Sequence, residues 1–185
     1  MNQSATVDRV LVVRLNAKPR NITLIQVYGP TTAAMHEEME RFYQDLSQAV
    51  KQVPNRDTLL IMGDFTANVG RREPSTVSSA IGLYGLGETN EASEQLEEFC
   101  LEHEMALANA MFKQHPRRLY TWTSPDGNTR NQIDYISIVQ RWKTRSMNCR
   151  TYPGADCNTD HQLLVVTVKV RLAKRQRQHS ILPVN

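Results

Sequence analysis

Two β-branched runs open the chain. "VDRVLVVRLN" and "RNITLIQVYG" are separated by Ala17-Lys18-Pro19-Arg20, a spacing that predicts two strands joined by a turn. Over "AAMHEEMERFYQDLSQAV" the period lengthens. Met35, Met39, Phe42, Leu46, Ala49 and Val50 recur at intervals of three and four with charges between them, which predicts an amphipathic helix, stopped by Pro54. "DTLLIMGDF" is a continuous apolar run bounded by polar residues, as a strand covered on both faces should be. From Val69 to Thr89 glycines, serines and scattered charges predict a long irregular loop. "SEQLEEFCLEHEM" then offers Ser93 as an N-cap and places Leu96, Phe99, Cys100 and His103 on one face, a second helix. Strand-like pieces follow at Ala106–Met111, Leu119–Thr123, Gln132–Val139, Met147–Tyr152 and Leu163–Val170. The order strand, helix, strand, with a strand-rich second half, predicts a mixed α/β architecture.

Composition narrows this only a little. A chain of 185 residues, 40% hydrophobic and 22% charged, has the size and make-up of one soluble globular domain. A net charge of +3 permits a polyanionic partner without requiring one. Three cysteines, Cys100, Cys149 and Cys157, form no C-x-x-C pair, so reduced thiols in an intracellular protein, nuclear or cytoplasmic, are expected rather than a disulfide framework or zinc knuckle. No apolar run is long enough to cross a bilayer, and "MNQSATVDRV" lacks the basic-then-apolar order of a secretion signal; membrane partners are not expected. Residues 173–185, within "AKRQRQHSILPVN", read as a basic, aperiodic, flexible tail. Strand-like sequence starts within ten residues of Met1, which suggests that something upstream has been removed.

Candidate chemistry sits where predicted strands end. "QVYGPT" brings Tyr28, "IMGDFTAN" Asp64, "RNQIDYISI" Asp134, and "NTDHQLLVV" Asp160 with His161. A rigid sheet aims groups at its strand ends while their polar heads stay wet, so layered α/β proteins tend to place active sites there. Taken singly, each aspartate is more simply a turn or cap residue. Trp122 reads as core or a loop anchor, and His36, His103, His115 and His179 have no ligand-like spacing.

Taken together, in the order Y-x-P-T, G-D-F-x-A, I-D-Y-I and T-D-H-x-x-L, the four motifs resemble the endonuclease/exonuclease/phosphatase superfamily of metal-dependent phosphodiesterases. The resemblance runs from about residue 7 to 172, and residues 1–172 are taken as one partial domain. "GLYGLGETNEASEQLEEFCLEHEMALANAMF" and "HPRRLYTWTSPDGNTRNQIDYI" are similar to the endonuclease domain of non-LTR (LINE-type) retrotransposons and to host genes carrying domesticated copies. The resemblance implies a DNase I-like four-layer α/β sandwich, two packed β-sheets flanked by helices, and Mg²⁺-dependent cleavage of DNA phosphodiesters. It further implies that Asp64 holds or activates the attacking water, that Asp160 lies on the metal side, and that His161 meets the scissile phosphate as a cation. Asp134 would pair with His161, and Tyr28 would donate to a phosphate oxygen. The roles of His161 and Asp64 have more than one assignment within the family. Arg71, Arg72, Arg117, Arg118, Arg130 and Asn131, near these tips in sequence, are candidates for holding DNA phosphates.

Two departures matter. The family pattern is G-D-F-N-A, and this chain has Thr66 where the asparagine stands. One short hydroxyl on a β-branched stem cannot make the bonds of an amide, and Asn68 replaces it only if extended geometry persists past the strand tip. Losing one preorganised donor costs about two to three orders of magnitude in rate. The family's upstream strands, with an asparagine and a metal-binding glutamate, also have no counterpart; Glu88 lies in the wrong place. The expectation is therefore an amino-terminally truncated domain with Mg²⁺ held weakly by Asp160 or lost, activity impaired or absent, and the apolar closing strand "LLVVTVKV" exposed along an edge or face that favours self-association. A non-catalytic module retained for binding protein or nucleic acid, and a phosphatase of the same fold, are the alternative readings.

Overall fold

The structure is a computed structural model that describes residues 4–31, 33–155 and 158–169. The opening β-branched runs form β1 (Ser4–Val7), β2 (Val10–Leu15) and β3 (Ile22–Tyr28), successive antiparallel neighbours. The predicted first helix is α1 (His36–Lys51), ending before Pro54, and the apolar run after it is β4 (Thr58–Asp64). Because α1 is a crossover, β4 lies parallel to β3. The segment expected to be irregular contains a two-stranded ribbon, β5 (Val69–Arg71) and β6 (Tyr84–Thr89). Glycine content, which suggested a loop, is what lets these strands meet: a Cβ on Gly85 would stand 1.8 Å from the Gly70 carbonyl oxygen. Next come α2 (Glu91–Glu102), β7 (Met105–Leu107), β8 (Trp122–Thr123), β9 (Arg130–Asn131), β10 (Asp134–Val139), β11 (Ser146–Thr151) and β12 (Leu164–Val168). The α2 cap is Asn90, whose side chain accepts from Ser93 N, not Ser93 itself. The strands expected at Ala106–Met111 and Leu119–Thr123 shrink to three and two residues. The tail at 173–185 and Cys157 lie outside the described residues.

One sheet of six strands, ordered β1-β2-β3-β4-β10-β7, is the centre of the molecule. On one face α1 and α2 cover it. Phe42 and Leu46 of α1 and Leu96, Phe99 and Cys100 of α2 pack on Ile25, Val27, Leu59 and Ile61, all buried. On the other face β11 and β12 form a second, two-stranded sheet over Leu60, Ile136 and Ile138, so β4 is covered on both sides, as its unbroken apolar run requires. Alternation along β12 turns Leu164, Val166 and Val168 inward onto this second core, so its apolar face is not open to solvent as expected, although Leu163 just before it is 45% exposed. The uncovered part of that sheet face lies over β2 instead, where Leu11 and Leu15 are exposed. Cys100 and Cys149 are buried free thiols. Among the described residues no helix is long and apolar enough to cross a membrane.

Candidate active site at the strand ends

β3, β4 and β10 deliver their polar residues in register. Tyr28 stands opposite Asp64 in the parallel pairing, and Asp64 opposite Asp134 in the antiparallel one. Neighbouring strands lie about 4.8 Å apart and matched positions share a face. Tyr28, Asp64 and Asp134 therefore form a row at one end of the sheet. The turn after β4 holds the middle member outward: Phe65 is buried against Phe42 and Tyr135, with ring centres 6.4 and 6.3 Å away, while its backbone N–H donates to the Ile133 carbonyl at 3.0 Å. Gly63 permits this close pairing. Its φ is +140°, and a Cβ there would lie 2.0 Å from the Val27 carbonyl oxygen.

His161 comes from the loop before β12 and joins the row through a bridge to Trp122. Its Nδ1 is 2.9 Å from Asp134 Oδ2, and its Nε2 is 4.0 Å from Asp160 Oδ1. Tyr28, Asp64, Asp134 and His161 line one cleft of about 370 Å³, together with Arg9 and Gln26. A larger groove, about 630 Å³, lies between α1 and α2, and none of the strand-tip residues lines it. Asp160 stands at the cleft's rim, exposed, with Trp122 Nε1 donating to its Oδ2 at 2.7 Å; that donor is the chief reason its carboxyl sits below the ordinary range. Asp64 behaves oppositely. Burial is the main cause that raises its pKa; the Thr66 N–H, donating to Oδ1 at 2.8 Å, and His161 oppose it, while Asp134 and Asp160 add to it.

Thr66 lies behind Asp64 rather than in the cleft. Its φ is 51°, and its hydroxyl lies 2.5 Å from the Pro30 carbonyl oxygen and 2.8 Å from that of Phe65. Both can only accept, so the single hydroxyl proton is committed to backbone. Asn68 does not replace it: its N–H donates to Asn90 Oδ1 at 2.8 Å, and its own Oδ1 is buried without a partner among the described residues. Of the candidate phosphate contacts, Arg72 is largely buried and bidentate to Glu97 at 2.9 and 2.6 Å, a tie between the ribbon and α2 that leaves it little freedom to reach a ligand. Arg71 is exposed on β5. Arg117 and Arg118 line a shallow depression with His115 and Pro153, on a turn that packs against β11. Arg130 stacks on Tyr120, 5.0 Å from the ring centre, and Asn131 pairs with Trp122, the residue that holds Asp160.

Two supports escaped the sequence reading, while Trp122, expected as core or a loop anchor, holds Asp160. Thr121 Oγ1 accepts from both Ile133 and Asp134 N–H at 3.0 Å, and Asn109 Nδ2 donates to the Asp134 carbonyl at 3.0 Å. No local pattern marks such side chains, whose partners are distant in sequence. Asn90 had a signal, a cap-forming residue before an acidic first turn.

Mg²⁺ takes near-octahedral oxygen donors. Among the described residues no three His, Cys, Asp or Glu side chains converge on a metal-sized point: Asp134 is turned onto His161 and Asp160 onto Trp122. These residues do not by themselves make a magnesium site. What the arrangement does offer is a desolvated carboxylate, a carboxylate-backed imidazole and an exposed phenol around one cleft, a set suited to an anionic ester and a water molecule.

No family model matches the sequence. Craniofacial development protein 2 from Bos taurus is 46% identical over 165 residues, covering 89% of this chain and 27% of that protein. The transposon TX1 uncharacterized 149 kDa protein from Xenopus laevis is 26% identical over 155 residues, 81% of this chain and 11% of that one. The chain thus spans about a quarter or less of the curated relatives it matches. Among solved structures, the endonuclease domain of TRAS1, a telomere-specific non-LTR retrotransposon, superposes with a TM-score of 0.64 at 16% identity, over 90% of this chain and 66% of that one. The 3′ phosphatase NExo from Neisseria, bound to a product DNA hairpin, gives 0.59 at 14% identity, over 88% and 65%.

Proposed function

We propose, from the DNase I-like endonuclease/exonuclease/phosphatase fold that the chain carries, that it is a phosphodiester-directed module of the DNA-endonuclease type with weakened hydrolytic power. The observation that supports this most is the in-register row Tyr28, Asp64, Asp134, joined by His161 at 2.9 Å, around a single cleft. In this reading Asp64 orients a water against phosphorus. Its raised pKa makes it a stronger base than an exposed carboxylate. Asp134 holds the imidazole by Nδ1 and directs Nε2 to a phosphate oxygen. Tyr28, 59% exposed, donates its hydroxyl to the same group. Arg71, Arg117, Arg118, Arg130 and Asn131 follow the flanking backbone of a DNA strand. Magnesium, the cofactor of the proposed parent chemistry, would find only isolated carboxylates among the described residues, and Thr66 gives its proton to the Pro30 and Phe65 carbonyls instead of to a ligand. Both weaken catalysis without removing the phosphate-facing groups.

Plasmid nicking in millimolar Mg²⁺, comparing the chain with Asp64→Ala and His161→Ala, tests this. Trace nicking lost in both variants is expected. Nicking that survives either substitution overturns the assignment, and vigorous nicking that both abolish overturns the weakening. The committed Thr66 hydroxyl also favours a second reading, a binding module without catalysis. It predicts no nicking above background and DNA binding that persists in EDTA and in Asp64→Ala.

A further inference from the structure

At the other end of the sheet, where β3 and β4 begin, arginines gather on Trp142. The guanidinium of Arg145 lies 3.9 Å from the indole ring centre, that of Arg20 5.3 Å and that of Arg141 5.7 Å. They come from the turn between β2 and β3 and from the six-residue 3₁₀ segment Gln140–Arg145 between β10 and β11, so nothing in the sequence places them together. Stacking on an indole stabilises each cation but leaves the charge in place. Among the described residues no carboxylate pairs with Arg20, Arg141 or Arg145.

A groove of about 740 Å³, lined by Arg14, Pro19, Arg20, Arg56 and Asp57, opens beside this cluster, and a small cavity of about 20 Å³ that shares Pro19 and Arg20 with it is walled by Trp142, Arg145 and Lys169. Asp57, the carboxylate in their lining, is already neutralised by Arg14 at 2.6 and 3.1 Å. The surplus along this lining is therefore cationic, and among the described residues Trp142 Nε1 is buried with no acceptor.

We propose that this end of the molecule is a second nucleic-acid-binding surface, which takes the phosphate backbone of a single DNA strand along Arg56, Arg20, Arg145 and Lys169. Cations set along and beside a groove and braced by an aromatic ring match a polyanion with regularly spaced phosphates. An anionic membrane is the poorer match, because Trp142 is partly buried among arginines and offers no apolar tip for insertion. β4 separates this surface from the strand-tip cleft by about 20 Å at 3.3 Å per residue, so it goes beyond the cleft's proposed role and does not depend on it.

The test is fluorescence anisotropy of the full chain with a labelled single-stranded DNA of about 20 nucleotides, across a KCl series. Arg20→Glu/Arg145→Glu should lower affinity at least about tenfold near 0.1 M salt and flatten the slope of log K against log[KCl] by about 1.4, two lost phosphate contacts at about 0.7 each. Arg20→Lys/Arg145→Lys should keep most of the slope. Unchanged affinity and slope in a charge-reversed variant that melts like the wild type overturns the proposal, and so does stronger binding to phosphatidylserine vesicles than to DNA. Should charge reversal prevent folding, arginine modification by p-hydroxyphenylglyoxal on the unaltered chain decides: saturating DNA should protect Arg20 and Arg145, and modification there at the DNA-free rate rejects the surface.

Discussion

A left-handed backbone at a β-branched residue is a genuine outlier, and Thr66 has it at φ 51°. That conformation costs a threonine about 1–2 kcal/mol, offset by about 1 kcal/mol from its hydroxyl bond to Pro30. Asparagine tolerates the left-handed region and carries its own donors; valine has neither advantage. Thr66→Asn should therefore exceed Thr66→Val in unfolding free energy by about 1–2 kcal/mol in urea titrations. The sequence announces the loss of an amide at this position. It does not announce that the remaining hydroxyl faces backward, because that depends on where the turn after β3 brings the Pro30 carbonyl. Asp64, Asp134 and His161 are legible as a set through the order of the four motifs; Asp64 and Asp134 then meet at strand ends of one sheet, while His161 is brought in by the loop before β12 of the other. Trp122 reads as core or a loop anchor because its partner Asp160 lies 38 positions away.

At the level of elements, the segment that leaves β4 is fastened by one phenol. The Tyr135 hydroxyl, on β10, lies 2.6 Å from the Gln132 carbonyl oxygen and 3.0 Å from that of Ala67, and accepts from Val69 N–H at 3.2 Å. The ring is fully buried and burial drives its pKa far up, so it stays neutral. Tyr135→Phe leaves the Val69 N–H without its acceptor in the interior and should cost about 1–3 kcal/mol. Hydrogen exchange at Val69 should quicken before that of β4 itself. The boundaries that the sequence misplaced belong to this neighbourhood. The β5–β6 ribbon looks like a loop because its glycines serve close backbone approach, and α2 begins at Asn90 because that side chain also holds the strand-tip turn through Asn68 N–H and the Thr66 carbonyl. Periodicity located the long helices and strands; short elements held by tertiary contacts had no period to read.

Across the whole molecule, two aspartates at opposite ends of β4 and its approach pull stability in opposite directions with pH. The Asp57 pKa is depressed, chiefly by the Arg14 hydrogen bonds, so its contribution is present above the unfolded carboxylate value and disappears as pH falls through the lower folded one. Asp64 has a raised pKa: the native state pays for its charge, and stability falls as pH climbs from the unfolded value through the folded one. At neutral pH that cost is complete. Asp64→Asn should accordingly melt higher than the wild type at pH 7, with the advantage shrinking toward acid, as followed by calorimetry over a pH series. A group that destabilises its own fold while facing a cleft is where function is to be sought. The mixed α/β class was readable from the alternation of strands and helices, and the two-sheet arrangement only from the resemblance. The basic end around Trp142 was not, because Arg20 and Arg145 become neighbours only when the β2–β3 turn and the segment before β11 meet.

The matched positions of Tyr28, Asp64 and Asp134 have a last consequence. Their spacing is a property of ladder register, so lengthening or shortening the connections outside β3, β4 and β10 leaves the trio untouched and free to acquire new ligand preferences around a fixed centre. Deleting one residue within β4 would do the reverse: every later side chain would swap faces, delivering the carboxylate among Phe42 and Leu46 and sending an apolar neighbour out into the cleft.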